Sequence, residues 1–258
     1  MVALGDTGLK VSRLGFGTFD LGSPSLNISP EEGGRILAES YKLGVNFWDT
    51  SDDYGSHPHV ASALKRVTRK DVVISTKTGA KTVEEAIRSL RSSLRELSAD
   101  YIDIFLMHCV ESDWIGECHR VLRELNDVRT TGIVKAVGLS THSVTVVKEA
   151  SQFEELDVIM TILCKADQAV ISQFPEKIPL EDGTIEEMFS ATELAHNNGK
   201  GTIAMKVLGS AAPPVVKNYR SSMKAIAQLD FVDTMVIGMR NLGQVKKSTK
   251  AILSAHNP

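Results

Sequence analysis

The chain has 258 residues, 42% hydrophobic and 24% charged, with a formal net charge of -3 and a pI near 6.2. These values exclude a disordered or fibrous polymer and give no electrostatic reason to bind nucleic acid or an anionic membrane, which leaves small-molecule chemistry as the expectation. The three cysteines, Cys109, Cys118 and Cys164, are an odd number without Cys-x-x-Cys spacing, so neither a disulfide framework nor a zinc ribbon is indicated and a reducing cytoplasm is expected.

The start, "MVALGDTGLKVSRLG", has no basic segment followed by an apolar run, and no stretch of about 18 apolar residues occurs, so neither export nor a membrane span is expected. In chain order, "SRLGFGT" (12–18) predicts a first strand, "EEGGRILAESYKLG" a helix, "VNFWDT" (45–50) a second strand and "VVISTK" (72–77) a third. The amphipathic "TVEEAIRSLRSSLRELS" precedes a fourth strand, "YIDIFLMH" (101–108), followed by "VKAVGLS" (134–140) and "DVIMTI" (157–162). Residues 163–183 read as a long functional loop. The helical "TIEEMFSATELAHNNG" then leads to the last two strands, "GTIAMK" (201–206) and "TMVIGM" (234–239).

Strands this continuously apolar are buried on both faces, as in a parallel sheet covered by helices. Eight βα units in this length predict an α/β fold, a (β/α)8 TIM barrel, as a single domain over 1–258. An open dinucleotide-binding sheet would need a third glycine after Gly15 and Gly17, where Asp20 stands instead.

In such a barrel the carboxyl ends of the strands share one mouth, where catalysis occurs. Asp49 ends the second predicted strand with Tyr54 just beyond, Lys77 ends the third and His108 the fourth. Each alone has a structural explanation; together they have one chemical use. An adjacent lysine cation lowers the pKa of a tyrosine, which otherwise sits near 10. Lys77 is thus expected to tune Tyr54, Asp49 to hold the buried Lys77 ammonium, and His108 to offer an N–H to a substrate oxygen. The set can protonate an oxygen during carbonyl reduction; no side chain supplies hydride, so a nicotinamide cofactor is implied. Asp52 and Asp53 read as loop solvation or helix capping.

The segments "GFGTFDLG", "LGVNFWDTSDDYG", "VVISTK", "RSLRELSADYIDIFLMH", "VKAVGLSTHS", "GTIAMKVLG" and "VIGMRNLGQV" resemble, in order, the strand-end motifs of the aldo-keto reductase family. The resemblance implies that Asp49, Tyr54, Lys77 and His108 are catalytic and that the cofactor lies extended across the mouth. It puts Gly17, Thr18 and Asp49 at the nicotinamide end, Ser140, Thr141 and Met160 by the carboxamide, and Lys206 by the pyrophosphate. Gly238, Met239, Arg240, Gln244, Lys247 and Ser248 would hold the adenosine end. Thr141, Met160, Met239, Gln244 and Lys247 depart from the family's usual residues. Arg240, Lys246, Lys247 and Lys250 make that corner positive, which favours NADP over NAD.

Phe19, Trp48, Tyr54 and His108 are the expected substrate-binding residues, for a small carbonyl or alcohol substrate. A monomer is the family-level expectation. Two other readings compete: a metal-dependent barrel hydrolase using His57, His59 and His108, and a barrel that binds nicotinamide cofactors without catalysis.

Overall fold

The structure, a computed structural model, describes residues 1–23, 26–164, 180–210 and 219–253. It opens with a hairpin of β1 (Val2–Ala3) and β2 (Lys10–Val11), paired antiparallel. The barrel strands follow: β3 (Leu14–Gly17), β4 (Phe47–Asp49), β5 (Val73–Thr78), β6 (Ile102–Met107), β7 (Val134–Thr141), β8 (Val158–Ile162) and β9 (Gly201–Met205). A short β10 (Val207–Ser210) precedes the last barrel strand, β11 (Thr234–Gly238). The eight barrel strands are all parallel and close in the order β11-β3-β4-β5-β6-β7-β8-β9. All eight predicted strands are present, and the two strands of the hairpin and β10 are additional. Residues 165–179, most of the predicted 163–183 loop, lie outside the described residues.

Outside the barrel run α1 (Phe19–Gly22), α2 (Pro30–Lys42), α3 (His57–Leu64), α4 (Val83–Leu97), α5 (Ile115–Arg129), α6 (Val144–Ala150), α7 (Ile185–Asn197), α8 (Tyr219–Ala227) and α9 (Leu242–Leu253). Their limits have local causes. Thr82 with Glu85, and Thr184 with Glu187, form capping boxes that satisfy the first free N–H groups of α4 and α7. Pro30 opens α2 just after the Ser29 cap. Ser98, at φ 51°, ends α4 in the left-handed conformation.

The strands divide their side chains by parity. Phe47, Val73, Ile104, Leu106, Ala136, Val158, Met160 and Ile203 fill the barrel interior, and Leu4 and Val11 of the hairpin segment join that cluster. Alternate residues, including Phe16, Trp48, Ile74, Phe105, Val137 and Ile159, pack in the layer beneath the helices. Trp48 therefore does not line the mouth as expected. Asp49 must face inward to meet Lys77, and its neighbour Trp48, fully buried, is turned to the helices by the period-two alternation.

A repeated device joins the strands at the amino ends. Asn46, Asp103, Asp157 and Asp233, at the start of every second barrel strand, each accept a backbone N–H from the preceding strand or, for Asn46, from the residues leading into it. The donors are Ser12 at 2.7 Å, Ile74 at 2.9 Å, Val137 at 2.9 Å and Thr202 at 2.9 Å. Charge reinforces these joints: Asp103 also binds Arg69 at 2.7 Å and Lys135 at 2.8 Å, and Asp157 binds Arg129 at 2.6 Å. Among the described residues no helix is long and apolar enough to cross a membrane.

Candidate active site

At the carboxyl ends of the strands lies a cavity of about 720 Å³ whose wall includes Gly17, Phe19, Asp49, Tyr54, His108 and Lys206. Parity brings Asp49 and Lys77 together from neighbouring strands. The Lys77 ammonium, 1% exposed, donates to Asp49 Oδ2 at 2.8 Å and to the Thr50 carbonyl at 2.7 Å. Tyr54 hangs in the loop beyond, with Phe19 edge-on at 5.0 Å and His108 at 5.8 Å between ring centroids. The loop is held by Thr18, whose hydroxyl donates to the Asp49 carbonyl at 2.9 Å. Behind it, Gly22 presses on the Tyr54 carbonyl so closely that a Cβ would collide with it.

The relation of Lys77 to Tyr54 differs from the expectation. The ammonium sits 4.8 Å from the centre of the Tyr54 ring and gives its hydrogen bonds to Asp49 and Thr50 instead. With that charge already paired, burial dominates, and the nearby acids Asp49 and Asp53 add to it; the phenol is held above its ordinary value. Tyr54 is thus a protonated phenol at neutral pH. Burial also raises the Asp49 carboxyl, against the pull of Lys77. His108 is lowered by burial and by Lys77, so its imidazole is neutral. Its Nδ1 lies 3.3 Å from Ser51 Oγ, which is also 3.4 Å from the Lys77 carbonyl; in the tautomer whose Nδ1 accepts from Ser51, Nε2–H is left for a ligand oxygen.

Of the other residues singled out, Met160, Gly238 and Arg240 line the cavity, and Arg240 pairs with Asp20 at 3.2 Å. Thr18, Ser140 and Thr141 do not. The Ser140 hydroxyl accepts the Cys109 N–H at 3.0 Å, and Thr141, one residue on and therefore facing outward, donates to the Val110 carbonyl at 2.7 Å. Met239 is buried in the layer beneath the helices. Gln244 accepts the Arg240 N–H at 2.7 Å, Lys247 is exposed on α9 and Ser248 is buried there; none of the four lines the cavity.

The cavity also gathers residues that sequence reasoning missed. Asp53 lines it, whereas Asp52 turns away to accept from Ser89 Oγ at 2.7 Å. Cys109 lines it too, at φ 53°. His142 is pushed down to about 4 by burial, with Lys206 and His108 adding to the effect. Only the two-residue step from the inward-facing Ser140, past the outward-facing Thr141, could have flagged His142.

Two features fit a bound dinucleotide. Asp49 Oδ1 is buried on the cavity wall with no hydrogen bond of normal geometry among the described residues, an acceptor suited to a ligand hydroxyl. Lys206, at φ 54°, is half-buried with its pKa lowered by desolvation and makes no ion pair among the described residues; an anionic ligand group would compensate it. The histidines needed for a hydrolytic metal site are committed elsewhere. His57 binds Glu96 at 2.7 Å and Thr76 at 2.9 Å, and His59 faces the Ile28 carbonyl at 2.9 Å.

A closed (β/α)8 barrel that gathers an acid, an ammonium, a phenol and an imidazole at one cavity defines a barrel oxidoreductase. The chain belongs to the aldo/keto reductase family, whose model matches residues 13–214. It is similar to L-galactose dehydrogenase from Arabidopsis thaliana, 28% identical over 97% of this chain and 87% of that protein. It also resembles the NADH-specific methylglyoxal reductase of Escherichia coli, 26% identical over 89% of this chain and 78% of that one. A crystal structure of an aldo-keto reductase from Pseudomonas aeruginosa superimposes with a TM-score of 0.79 over 98% of this chain and 94% of that one, at 26% identity. The chain is an NAD(P)-dependent oxidoreductase that acts on carbonyl compounds.

Proposed function

We propose that Tyr54 is the proton donor in this reduction, that His108 orients the carbonyl oxygen, and that the Lys77–Asp49 pair keeps the Tyr54 ring in place. The observation that carries the reading is the Tyr54 ring itself, on the cavity wall with Lys77 at its face and His108 and Phe19 at its edges. A phenol that stays protonated at neutral pH donates a hydrogen bond to a carbonyl oxygen and surrenders the proton as negative charge develops there. The neutral His108 adds a second donor through Nε2 and fixes the direction of the carbonyl. Phe19, 60% exposed, packs edge-on against the Tyr54 ring and gives the cavity wall an apolar face there.

The cofactor, when bound, supplies the hydride. Asp49 Oδ1 is the acceptor for a ribose hydroxyl, Gly17 and Met160 give the nicotinamide end a smooth wall, and Lys206 holds the diphosphate. At the far end, Arg240 with the exposed Lys246, Lys247 and Lys250 of α9 favours NADP over NAD. Asp20, paired with Arg240, reduces that preference. The substrate is a small carbonyl or alcohol compound, and three cysteines without Cys-x-x-Cys spacing suit a reducing cytoplasm. A monomer is the simplest form of this enzyme.

Fluorescence titration with NADPH and NADH, followed by an aldehyde and ketone panel, tests the reading in parent and Tyr54→Phe. Loss of at least about 100-fold in kcat/KM with cofactor Kd within about twofold is the expected outcome. Equal turnover by the variant would remove Tyr54 from the chemistry.

A further inference from the structure

We infer that Asp53 is a specificity-determining residue. Its carboxylate, on the cavity wall beside Tyr54 and His108, accepts a hydrogen bond from a hydroxyl next to the reacting carbonyl and turns away anionic carbonyl compounds. The preferred substrate is thereby a neutral hydroxy-aldehyde or hydroxy-ketone. The inference rests on the reading above, in which Tyr54 and His108 receive the carbonyl oxygen.

Its basis is the contrast between two adjacent acids. Asp52 anchors the loop to α4 through Ser89 Oγ at 2.7 Å. Asp53, immediately before Tyr54, lines the cavity. Its Oδ1 is 3.7 Å from His108 Nδ1, too long for a hydrogen bond, and the neutral imidazole does not compensate its charge. Its side chain is 61% exposed and accepts no hydrogen bond among the described residues, so its oxygens are open to a ligand that reaches Tyr54.

The surrounding charges sharpen the point. Lys77 is neutralised by Asp49 and Arg240 by Asp20. His108 and His142 are both lowered and carry no charge at neutral pH. Among the described residues Lys206 is the remaining cation on the wall, and the cofactor's diphosphate engages it under the reading above. Among the described residues at the substrate end, the uncompensated charge is that of Asp53. A carboxylate or phosphate on the substrate meets repulsion there, whereas a hydroxyl gains a charge-assisted hydrogen bond.

The test compares parent, Asp53→Asn and Asp53→Ala with the better cofactor on three aldehydes of similar size: glyceraldehyde, propionaldehyde and succinic semialdehyde. In Asp53→Ala the ratio of kcat/KM for glyceraldehyde over propionaldehyde should fall about tenfold, the usual scale for one hydrogen bond to a charged group. In Asp53→Asn, which keeps the size and removes the charge, the ratio for succinic semialdehyde over propionaldehyde should rise several-fold, and the rise should shrink at high salt. Turnover with both ratios unchanged overturns the role of Asp53 alone. A parent that turns over no carbonyl compound overturns this inference together with the reading beneath it.

Discussion

At the scale of single residues, the Lys77 ammonium holds the site together. It is almost wholly buried, and its bonds to Asp49 Oδ2 and the Thr50 carbonyl join the end of β4 to β5. Removing it leaves Asp49 as a buried carboxylate without its cation, a loss that costs about 3–5 kcal/mol. It also removes the charge from the face of the Tyr54 ring. Lys77→Met should therefore lower both the melting temperature and kcat, by at least about 100-fold for the latter. A variant with normal kcat and a lowered melting temperature would give Lys77 a structural role only. The sequence places this lysine at the end of its strand beside Asp49, as the structure does. It led, however, to the expectation of an ammonium acting on the phenol hydroxyl, whereas the ammonium lies over the ring and bonds Asp49 and Thr50. The run "NFWDTSDDYG" shows that the groups are near one another, and it does not show which hydrogen bonds already occupy the ammonium. The same limit hid Asp53: two aspartates in succession look alike in a sequence, and the loop conformation alone sends one to α4 and the other to the cavity.

At the scale of elements, parity decided most outcomes. The eight barrel strands were legible because each is a run of apolar residues of strand length, bounded by glycine or polar residues. The direction of each side chain was legible too once one inward residue was known. Asp49 inward forces Trp48 outward, and Ser140 inward forces Thr141 outward, so the misplacement of Trp48 and Thr141 followed from overlooking the alternation. The two-residue strands of the hairpin carry too few residues for any periodicity. The joints at the strand starts are the stronger structural finding. Asp103, 1% exposed, takes the Ile74 N–H, Arg69 and Lys135 at once. Asp103→Ala orphans a buried N–H and leaves two cations without their partner, at a cost of about 3 kcal/mol or more. At this chain length that corresponds to a fall in melting temperature of roughly 6–12 °C, readable by calorimetry. A change within 2 °C would mean that the joint contributes little.

Across the whole molecule, the mouth carries a stability cost that depends on pH. His108 and His142 both have folded-state pKa values below 6.5, His142 at about 4, because burial and neighbouring cations oppose their charging. Unfolded histidines bind protons near 6.5, so below that value the unfolded chain takes up more protons and stability falls as the pH drops towards about 4. The groups that bear on His142 are Lys206, His108 and Glu181. Denaturation midpoints measured at pH 7 and pH 4.5 should differ more in the parent than in His142→Asn. An equal difference in the two would show that His142 does not contribute to acid lability.

The joints of Asn46, Asp103, Asp157 and Asp233 lie at one end of the strands, while the cavity with Asp49, Tyr54 and His108 lies at the other. Framework and workshop are thereby kept apart. Loops over the cavity can be lengthened, shortened or exchanged to redirect the enzyme to new carbonyl compounds without cutting the ties that close the cylinder. A protein engineer can treat the lower rim and the 49–54 loop as fixed and the other upper loops as interchangeable.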